Sequence, residues 1–342
     1  MSLPTFVFVT CQAGAEAQLK RELSRLRPHW KPAFMRPGFV TFKLADGQAA
    51  LDLALDAVFA RAYGASLGKA SSIAAVHELM AHLEGPKRLH VWSRAPFLPG
   101  DEPPAWTDGA PVLEAALRES GDFLREREAM AGDTVVDLVI VEPHEFWVGS
   151  HVHSSLHASW PGGRPDIVLP AAAPSRAYVK MVEALLWSGA ALIAGETVLE
   201  LGSAPGGASY ALLERGVNVL GVDTADMAES VLDFPGPARF RHVRKRVAQL
   251  RASEIPPGPL WLALDVNLHP NDVFPALERV MGFARGRVRG GLLTFKLTDD
   301  KVAAHIPALL ERVRALGFAT VRARQLTYGR REIFVYAANP AG

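Results

Sequence analysis

Cysteine is almost absent from this chain. Cys11 is the only one in 342 residues, so no disulfide can form within it. A reducing cytoplasm is then the natural compartment. Placed after the apolar run TFVFVT, that thiol reads as a small buried hydrophobe rather than a nucleophile. Long apolar runs are missing too: none reaches the roughly 18–20 residues that a membrane span requires. The N-terminal stretch MSLPTFVFVTCQAGAEAQLKRELSRL has no basic start leading into a long apolar segment, so no secretory signal is expected. No internal repeat and no low-complexity tract interrupts the chain. His151, His153 and His157 lie close in sequence, but no cysteine or acid completes a ligand set, and no metal is expected.

What is present is globular. The chain is 49% hydrophobic and 21% charged, which excludes a disordered protein, and its length suits two or three domains. Net charge is +1, but unevenly spread. Residues 1–150 hold 15 Lys/Arg against 19 Asp/Glu, net −4, and residues 151–342 hold 22 against 17, net +5. The sharpest basic stretch, RFRHVRKRVAQLR, carries Arg239, Arg241, Arg244, Lys245, Arg246 and Arg251 with no acid among them. Arg285, Arg287 and Arg289 form a second cluster, and Arg330 and Arg331 a third. Such clusters are phosphate-binding footprints when they share a face, and solvated surface when they do not.

Hydrophobic periodicity divides the chain. The first 60 residues read strand, helix (15–26), two strands (within 32–44) and helix (47–58), a small α+β unit. A second unit follows: helix 71–83, strand 88–94, a Pro-rich loop 95–106, helix 110–130, and two strands, TVVDLVIVEP and EFWVGSHVH, turning at EPHE. SWPGGRPDIVLPAAAPS reads as a linker. From Ser175 the pattern alternates helices with short apolar strands, beginning with a helix that has Ser175 as its N-cap and Gly189 past its end. Strands TVLEL, VNVLGV, LWLAL and GLLTF imply a mostly parallel, doubly wound sheet, closed by a hairpin of ATVRARQL and EIFVYA.

In such a sheet ligands bind outside the carboxyl ends of the strands. There the sequence places LELGSAPGG. Gly202, Gly206 and Gly207 allow close approach of backbone to ligand, but their G-x-x-x-G-G spacing is not the G-x-G-x-x-G of dinucleotide sites. Asp223 ends the next strand, 21 residues after Gly202, where a carboxylate accepts from two ribose hydroxyls. Glu200, Asp223 and Asp265 make an acidic mouth that favours a cofactor carrying positive charge, such as S-adenosylmethionine. Lys296 ends GLLTFK beside Asp265. Glu332 reaches the same edge if its strand is antiparallel, and Lys180 lies on the helix before the first strand. Two lysines and two carboxylates suit deprotonation of a weakly acidic hydroxyl. Burial and a second ammonium are expected to lower the base's pKa towards about 7–8.

The motifs PSRAYVKMVEAL, LELGSAPGGASYALL, LALDV, TFKL and RREIFVYA resemble the FtsJ-like ribose 2′-O-methyltransferases, which carry a Lys-Asp-Lys-Glu tetrad. By match to those motifs the tetrad here is Lys180, Asp265, Lys296 and Glu332. The resemblance also implies cofactor contacts from Ser175, Glu200, Gly202, Ser203, Ala204, Pro205, Gly206, Gly207, Asp223 and Asp265, while the basic clusters, on their charge, suggest RNA contacts from Arg244, Lys245, Arg246, Arg330 and Arg331. Upstream, VVDLVIVEPHEFWVGSHVHSSLHASWPGG and LPAAAPSRAYVKM are similar to the RlmM-type enzymes, which methylate a cytidine ribose of 23S ribosomal RNA. The resemblance implies a ferredoxin-like unit at 1–68, a THUMP-like RNA-binding domain at 69–165 and a Rossmann-like methyltransferase domain at 166–342. Three positions depart from the family pattern. Glu200 replaces an Asp, Ala208 replaces a Trp, and no acid follows the third strand, at VRKRVAQ. A non-catalytic RNA-binding or assembly factor, and a methyltransferase for another substrate, stand as alternatives. The oligomeric state is not indicated.

Overall fold

The computed structural model describes residues 4–45, 53–94, 109–329 and 331–339. The chain forms two compact units, Met1–Pro165 and Asp166–Gly342. Among the described residues no helix is long and apolar enough to cross a membrane.

The first unit runs β1 (Phe6–Thr10), α1 (Glu16–Leu26), β2 (Lys31–Arg36), β3 (Phe39–Lys43), β4 (Tyr63–Ala70), α2 (Ile73–Met80), β5 (Lys87–Ser93), α3 (Gly109–Ser120), β6 (Thr134–Glu142) and β7 (Glu145–Val152). Its strands form one sheet in the order β2-β3-β1-β4-β7-β6-β5. The β5–β6 pair is parallel and the other pairs are antiparallel. β6 is buried on both faces. Val136 and Leu138 join a cluster with Val76 and Leu117 of the helices, while Val139 and Val141 join Phe8, Phe39 and Trp147. A strand covered on both sides reads as a continuous apolar run, which VVDLVIV nearly is.

β4 is not evident in the sequence, because YGASLGKA has two glycines and little that favours a strand. Packing supplies the reason for Gly64, and for a glycine on the neighbouring strand. A Cβ on Gly64 would lie 2.8 Å from the Ser150 carbonyl oxygen and 3.0 Å from Phe8 Cε1. A Cβ on Gly149, on neighbouring β7, would lie 2.7 Å from the Ala65 carbonyl oxygen and inside contact distance of the same ring. The fully buried Phe8 ring occupies the space of two absent side chains. β4 also runs through residue 68, the expected boundary between two units, and joins the strands on either side of it into one sheet.

Two expected helices are shorter or missing. Residues 53–58 are not helical, and residues 47–52 lie outside the described set. Their amides are taken by side chains instead: Leu55 N–H donates to the Tyr63 hydroxyl at 3.2 Å, and Val58 and Phe59 donate to the Glu22 carboxylate at 2.8 and 3.0 Å. The helix expected over 110–130 ends at Ser120. Beyond Gly121 the chain turns back on β5, with Leu124 N–H donating to the Lys87 carbonyl at 2.8 Å. The Pro-rich loop at 95–106 lies outside the described residues.

The second unit runs α4 (Ala177–Ser188), β8 (Thr197–Leu201), α5 (Gly207–Glu214), β9 (Asn218–Asp223), α6 (Glu229–Leu232), β10 (Phe240–Arg244), β11 (Leu260–Asp265), α7 (Pro270–Phe283), β12 (Val288–Lys296), α8 (Asp300–Ala304), α9 (Ile306–Ala315), β13 (Thr320–Arg324) and β14 (Glu332–Ala338). It is a Rossmann-like, doubly wound sheet in the order β10-β9-β8-β11-β12-β14-β13. β8 to β12 pair in parallel, and β14 lies antiparallel between β12 and β13. The core packs Met181 and Leu185 of α4 and Ala211 and Leu212 of α5 against Val198, Val219, Ala263 and Leu292. β10 hides in the basic stretch because it is an edge strand, where charged residues are tolerated and blunt aggregation. The N-cap of α4 is Arg176, not Ser175, although Ser175 Oγ accepts from Ala177 N–H at 3.4 Å. The sheet order reverses between β8 and β11, so a crevice opens at their carboxyl ends.

Gly149→Val tests the Phe8 packing. We expect a loss of roughly 1–3 kcal/mol, as for overpacking elsewhere, read as a lower urea midpoint. An unchanged midpoint contradicts the account of β4.

Candidate active site

Four elements deliver four charges to that crevice. α4 contributes Lys180, β11 ends in Asp265, β12 ends in Lys296, and β14 begins at Glu332. Lys296 and Glu332 are register partners, since β14 is antiparallel to β12 and starts where β12 ends. Lys180 Nζ donates to Asp265 Oδ2 at 2.8 Å and pairs with Glu332 Oε1 at 2.8 Å. Lys296 Nζ donates to Asp265 Oδ1 at 2.7 Å and to Glu332 Oε2 at 2.6 Å. Each lysine bridges both carboxylates and each carboxylate bridges both lysines, a closed quartet. All four side chains are largely buried, with 11–24% of their surface exposed.

The charges set one another. Burial alone pulls the Lys296 ammonium down. Asp265 and Glu332 outweigh it, by charge and by hydrogen bond, and hold its pKa above the ordinary lysine value. This corrects the sequence expectation of a base near neutrality: the two carboxylates, not the second ammonium, dominate the resting site. Burial likewise pushes Asp265 up, but Lys180 and Lys296 outweigh it, and its carboxyl stands below the usual range.

Beside the quartet lies the glycine loop. Its geometry requires absent side chains at three points. A Cβ on Gly202 would sit 2.5 Å from the Asp265 carbonyl oxygen, one on Gly206 2.6 Å from Val231 Cγ2, and one on Gly207 2.7 Å from the Ser175 carbonyl oxygen. Asp223, at the end of β9, accepts from Ala204 N–H at 3.1 Å through Oδ2 and from Ala225 N–H at 2.9 Å through Oδ1. Ser203 is buried, its hydroxyl donating to Met227 Sδ at 3.5 Å, and Pro205 accepts from Ala228 N–H at 3.0 Å. A cradle without Cβ atoms, edged by an ionised Asp265 and by the Asp223 carboxylate, fits a nucleoside that bears a cationic sulfonium and ammonium.

Glu200 corrects the picture of an acidic mouth. It is only 2% exposed and bonded to Ser209. Burial first, then Asp265 and Asp223, push its carboxyl up to about 8 against the Ser209 hydrogen bond. At neutral pH it is mostly uncharged, and the mouth's negative charge comes from the two aspartates. A small cavity of about 30 Å³ separates Glu200 from the quartet, walled by Ala177, Ala184, Ala208 and Ala263.

The basic stretch is less free than it reads. Arg244 pairs with Asp226 at 2.7 Å, Lys245 with Glu254, and Arg241 donates to the Glu254 carbonyl. Acids outside the stretch supply what it lacks. Arg246 and Arg331 are exposed, and Arg330 lies outside the described residues. His151 and His157 stack at 4.3 Å, and Tyr63 stacks on His157 at 4.4 Å. No group of side chains suited to a metal is found among the described residues. Two supporting residues escaped the sequence reading. Ser209 holds Glu200, and Glu183, 2% exposed on α4, accepts from Thr327 N–H at 2.7 Å and Tyr328 N–H at 2.9 Å ahead of Glu332. Only the helical position of Glu183, on the apolar face of α4, hinted at it.

Comparison with known proteins bears on this site. Residues 173–244 match the FtsJ-like methyltransferase family. Ribosomal RNA large subunit methyltransferase M of Laribacter hongkongensis is 33% identical over 252 residues, 69% of each chain. Its namesake from Halorhodospira halophila is 28% identical over 352 residues, covering 97% of this chain and 96% of that one. Among solved structures, TrmN from Thermus thermophilus is similar at 16% identity and a TM-score of 0.37, covering 98% of this chain and 99% of that one.

Two outcomes are expected here. Asp223→Ala removes a charged acceptor worth about 1.5–3 kcal/mol, so S-adenosylmethionine should bind about tenfold to a hundredfold more weakly by calorimetry. Unchanged affinity removes Asp223 from the site. Glu200, with its folded pKa raised from 4.5 to about 8, binds more protons folded than unfolded between those values. Stability is therefore lost as pH rises through that window. Glu200→Gln should flatten that part of the stability profile in urea titrations. An equal slope in both proteins shows that Glu200 does not titrate there.

Proposed function

The chain belongs to the family of ribosomal RNA large subunit methyltransferase M, FtsJ-like methyltransferases that use S-adenosylmethionine, and on that premise we propose that it methylates a ribose 2′-hydroxyl of a cytidine in 23S ribosomal RNA. The closed quartet of Lys180, Asp265, Lys296 and Glu332 is the observation that carries this reading. Gly202, Ser203, Ala204, Pro205, Gly206, Gly207 and Asp223, with Ser175 behind the loop, hold the cofactor. When bound, S-adenosylmethionine supplies an electrophilic methyl on a sulfonium.

The chain's own residues do the rest. Once the resting ammonium has given one proton to solvent, the neutral Lys296 Nζ receives the proton of the 2′-hydroxyl, and the oxygen so freed is the nucleophile. At rest Lys296 is an ammonium, held by two carboxylates. The substrate hydroxyl takes the place of one of those partners, which weakens the hold on the proton and brings the lysine towards its ordinary pKa. Lys180 shares both carboxylates, so neither is left as an unpaired buried charge when Lys296 becomes neutral. Asp265, the ionised centre, fixes both ammonium groups. The first unit, 1–165, with its ferredoxin-like and THUMP-like parts, takes the role of gripping the RNA.

Lys296→Ala should lower transfer of labelled methyl to 23S ribosomal RNA by about 10²–10⁴, the usual cost of a lost general base. Lys296→Arg should not restore it, because a guanidinium stays protonated. For the wild type, kcat/KM reports the free enzyme. With the lysine pKa raised, its deprotonated fraction grows about tenfold per pH unit, so kcat/KM should climb without a plateau from about pH 6 to 9. Substantial activity in Lys296→Arg, or a plateau near neutrality, sinks the assignment of Lys296 as base.

A further inference from the structure

A second cavity, about 370 Å³ and open to solvent, lies among the segments that follow β11 and β12, and the site described above does not use it. His269 and Pro270 lead into it from β11, Asp299 from β12, His305 from the cap of α9 and Arg312 from α9 itself. It lies near the quartet. Asp299 is three residues beyond Lys296 and His269 four beyond Asp265. Extended chain limits those separations to about 11 and 14 Å. Phe295 and Lys296 point to opposite faces of β12, so the cavity lies across the sheet's carboxyl edge from the catalytic lysine.

Its floor is a stack. Phe295 lies parallel to Phe274 at 5.5 Å, and the Arg312 guanidinium lies over Phe274 at 3.8 Å from the ring centre. Phe274 is fully buried, whereas the Arg312 side chain is 42% exposed, so the guanidinium's accessible face is the one turned away from the ring. Its edge is tied at one point: Nη1 donates to Asn271 Oδ1 at 2.8 Å, while Nη2 stands 4.0 Å from Glu278 Oε1, an ion-pair distance without a hydrogen bond. An arginine meant for phosphate presents its N–H edge. This one, tied at Nη1 and lying on the Phe274 ring, also presents a planar face, and guanidinium planes are platforms on which unpaired bases stack. At the cavity's side, His269 Nδ1 accepts from Asn271 N–H at 3.1 Å, which leaves Nε2–H as that ring's donor.

We propose that this cavity is a stacking subsite, with Arg312 as platform, for an unpaired nucleobase next to the nucleotide whose ribose is methylated. The proposal rests on the RNA-methylating function argued above. A strand crossing the carboxyl edge of the sheet places one ribose at the quartet and lays a neighbouring base on Arg312. Stacking of this kind is tolerant of base identity, so the subsite holds the strand in place without reading its sequence.

The test uses the full chain, Arg312→Ala and Arg312→Lys. Binding of a fluorescent single-stranded oligocytidylate is measured without cofactor at several salt concentrations, and KM is measured with 23S ribosomal RNA from a strain lacking the enzyme. Loss of one stacked base weakens binding by about tenfold. Arg312→Ala and Arg312→Lys should both show that loss, with the salt slope unchanged, and the effect on transfer should fall on KM rather than kcat. Wild-type affinity in Arg312→Lys, with a slope lowered by about 0.7–0.9 in Arg312→Ala, makes Arg312 a phosphate contact and overturns the proposal. So does wild-type behaviour of both variants, the outcome if the cavity serves a protein partner. A wild-type chain that binds the oligonucleotide in this manner yet methylates no RNA defeats the functional reading and leaves the subsite standing.

Discussion

Two lysines and two carboxylates, each touching both of the opposite sign, are the interaction around which the second unit is arranged. Taking ions out of water costs on the order of several kcal/mol each, and a buried pair returns that only with good geometry. Here the geometry is closed: every carboxylate oxygen of Asp265 and Glu332 has a lysine at 2.6–2.8 Å. Such a ring contributes little to stability that apolar packing would not contribute better. On the proposed reading, its value lies in a lysine whose proton is held by partners that a substrate can displace. The fold serves this end. A helix ahead of the sheet, two parallel strand ends and one antiparallel strand start meet at one edge because β14 inserts next to β12 in reverse.

The glycine loop and the quartet are not separate devices. Gly202 lacks a Cβ where the Asp265 backbone passes, so the turn after β8 and the end of β11 are in mutual contact. Glu200 and Ser209 lie beneath both, and Glu200 stays mostly neutral at pH 7 because Asp265 and Asp223 crowd a carboxyl with no access to water. An aspartate on each side, Asp265 held ionised by its lysines, and a mostly neutral glutamic acid between them avoid stacking three charged carboxylates together.

The sequence carried these features unevenly. Strand ends in the second unit were legible because each apolar run stops at a charged or glycine residue: LEL at Gly202, VLGV at Asp223, LWLAL at Asp265, GLLTF at Lys296. Convergence of Asp265 and Lys296 followed from topology, since parallel strand ends share an edge; Glu332 joined them on the condition of an antiparallel strand, and Lys180 by the motif resemblance. β4 was illegible because its small residues answer to Phe8 on another strand, a tertiary cause with no local sign. β10 was masked by the charges that an edge strand tolerates. The Lys296 pKa was misjudged for a different reason. Sequence names the charges but not the distances, and here two carboxylates at hydrogen-bond range outweigh the burial that would lower the lysine. The Arg312 platform lay hidden because its ring partner, Phe274, belongs to another helix.

The central claim is that the quartet activates a ribose hydroxyl, and the position of the methyl group tests it most directly. Labelled methyl would be transferred to 23S ribosomal RNA and the product hydrolysed in alkali. A 2′-O-methyl group removes the hydroxyl that alkali needs to cleave the adjacent phosphodiester. The account predicts that the label is recovered in an alkali-resistant dinucleotide whose first residue is cytidine. Label recovered in a mononucleotide, with the methyl on a base, would contradict it.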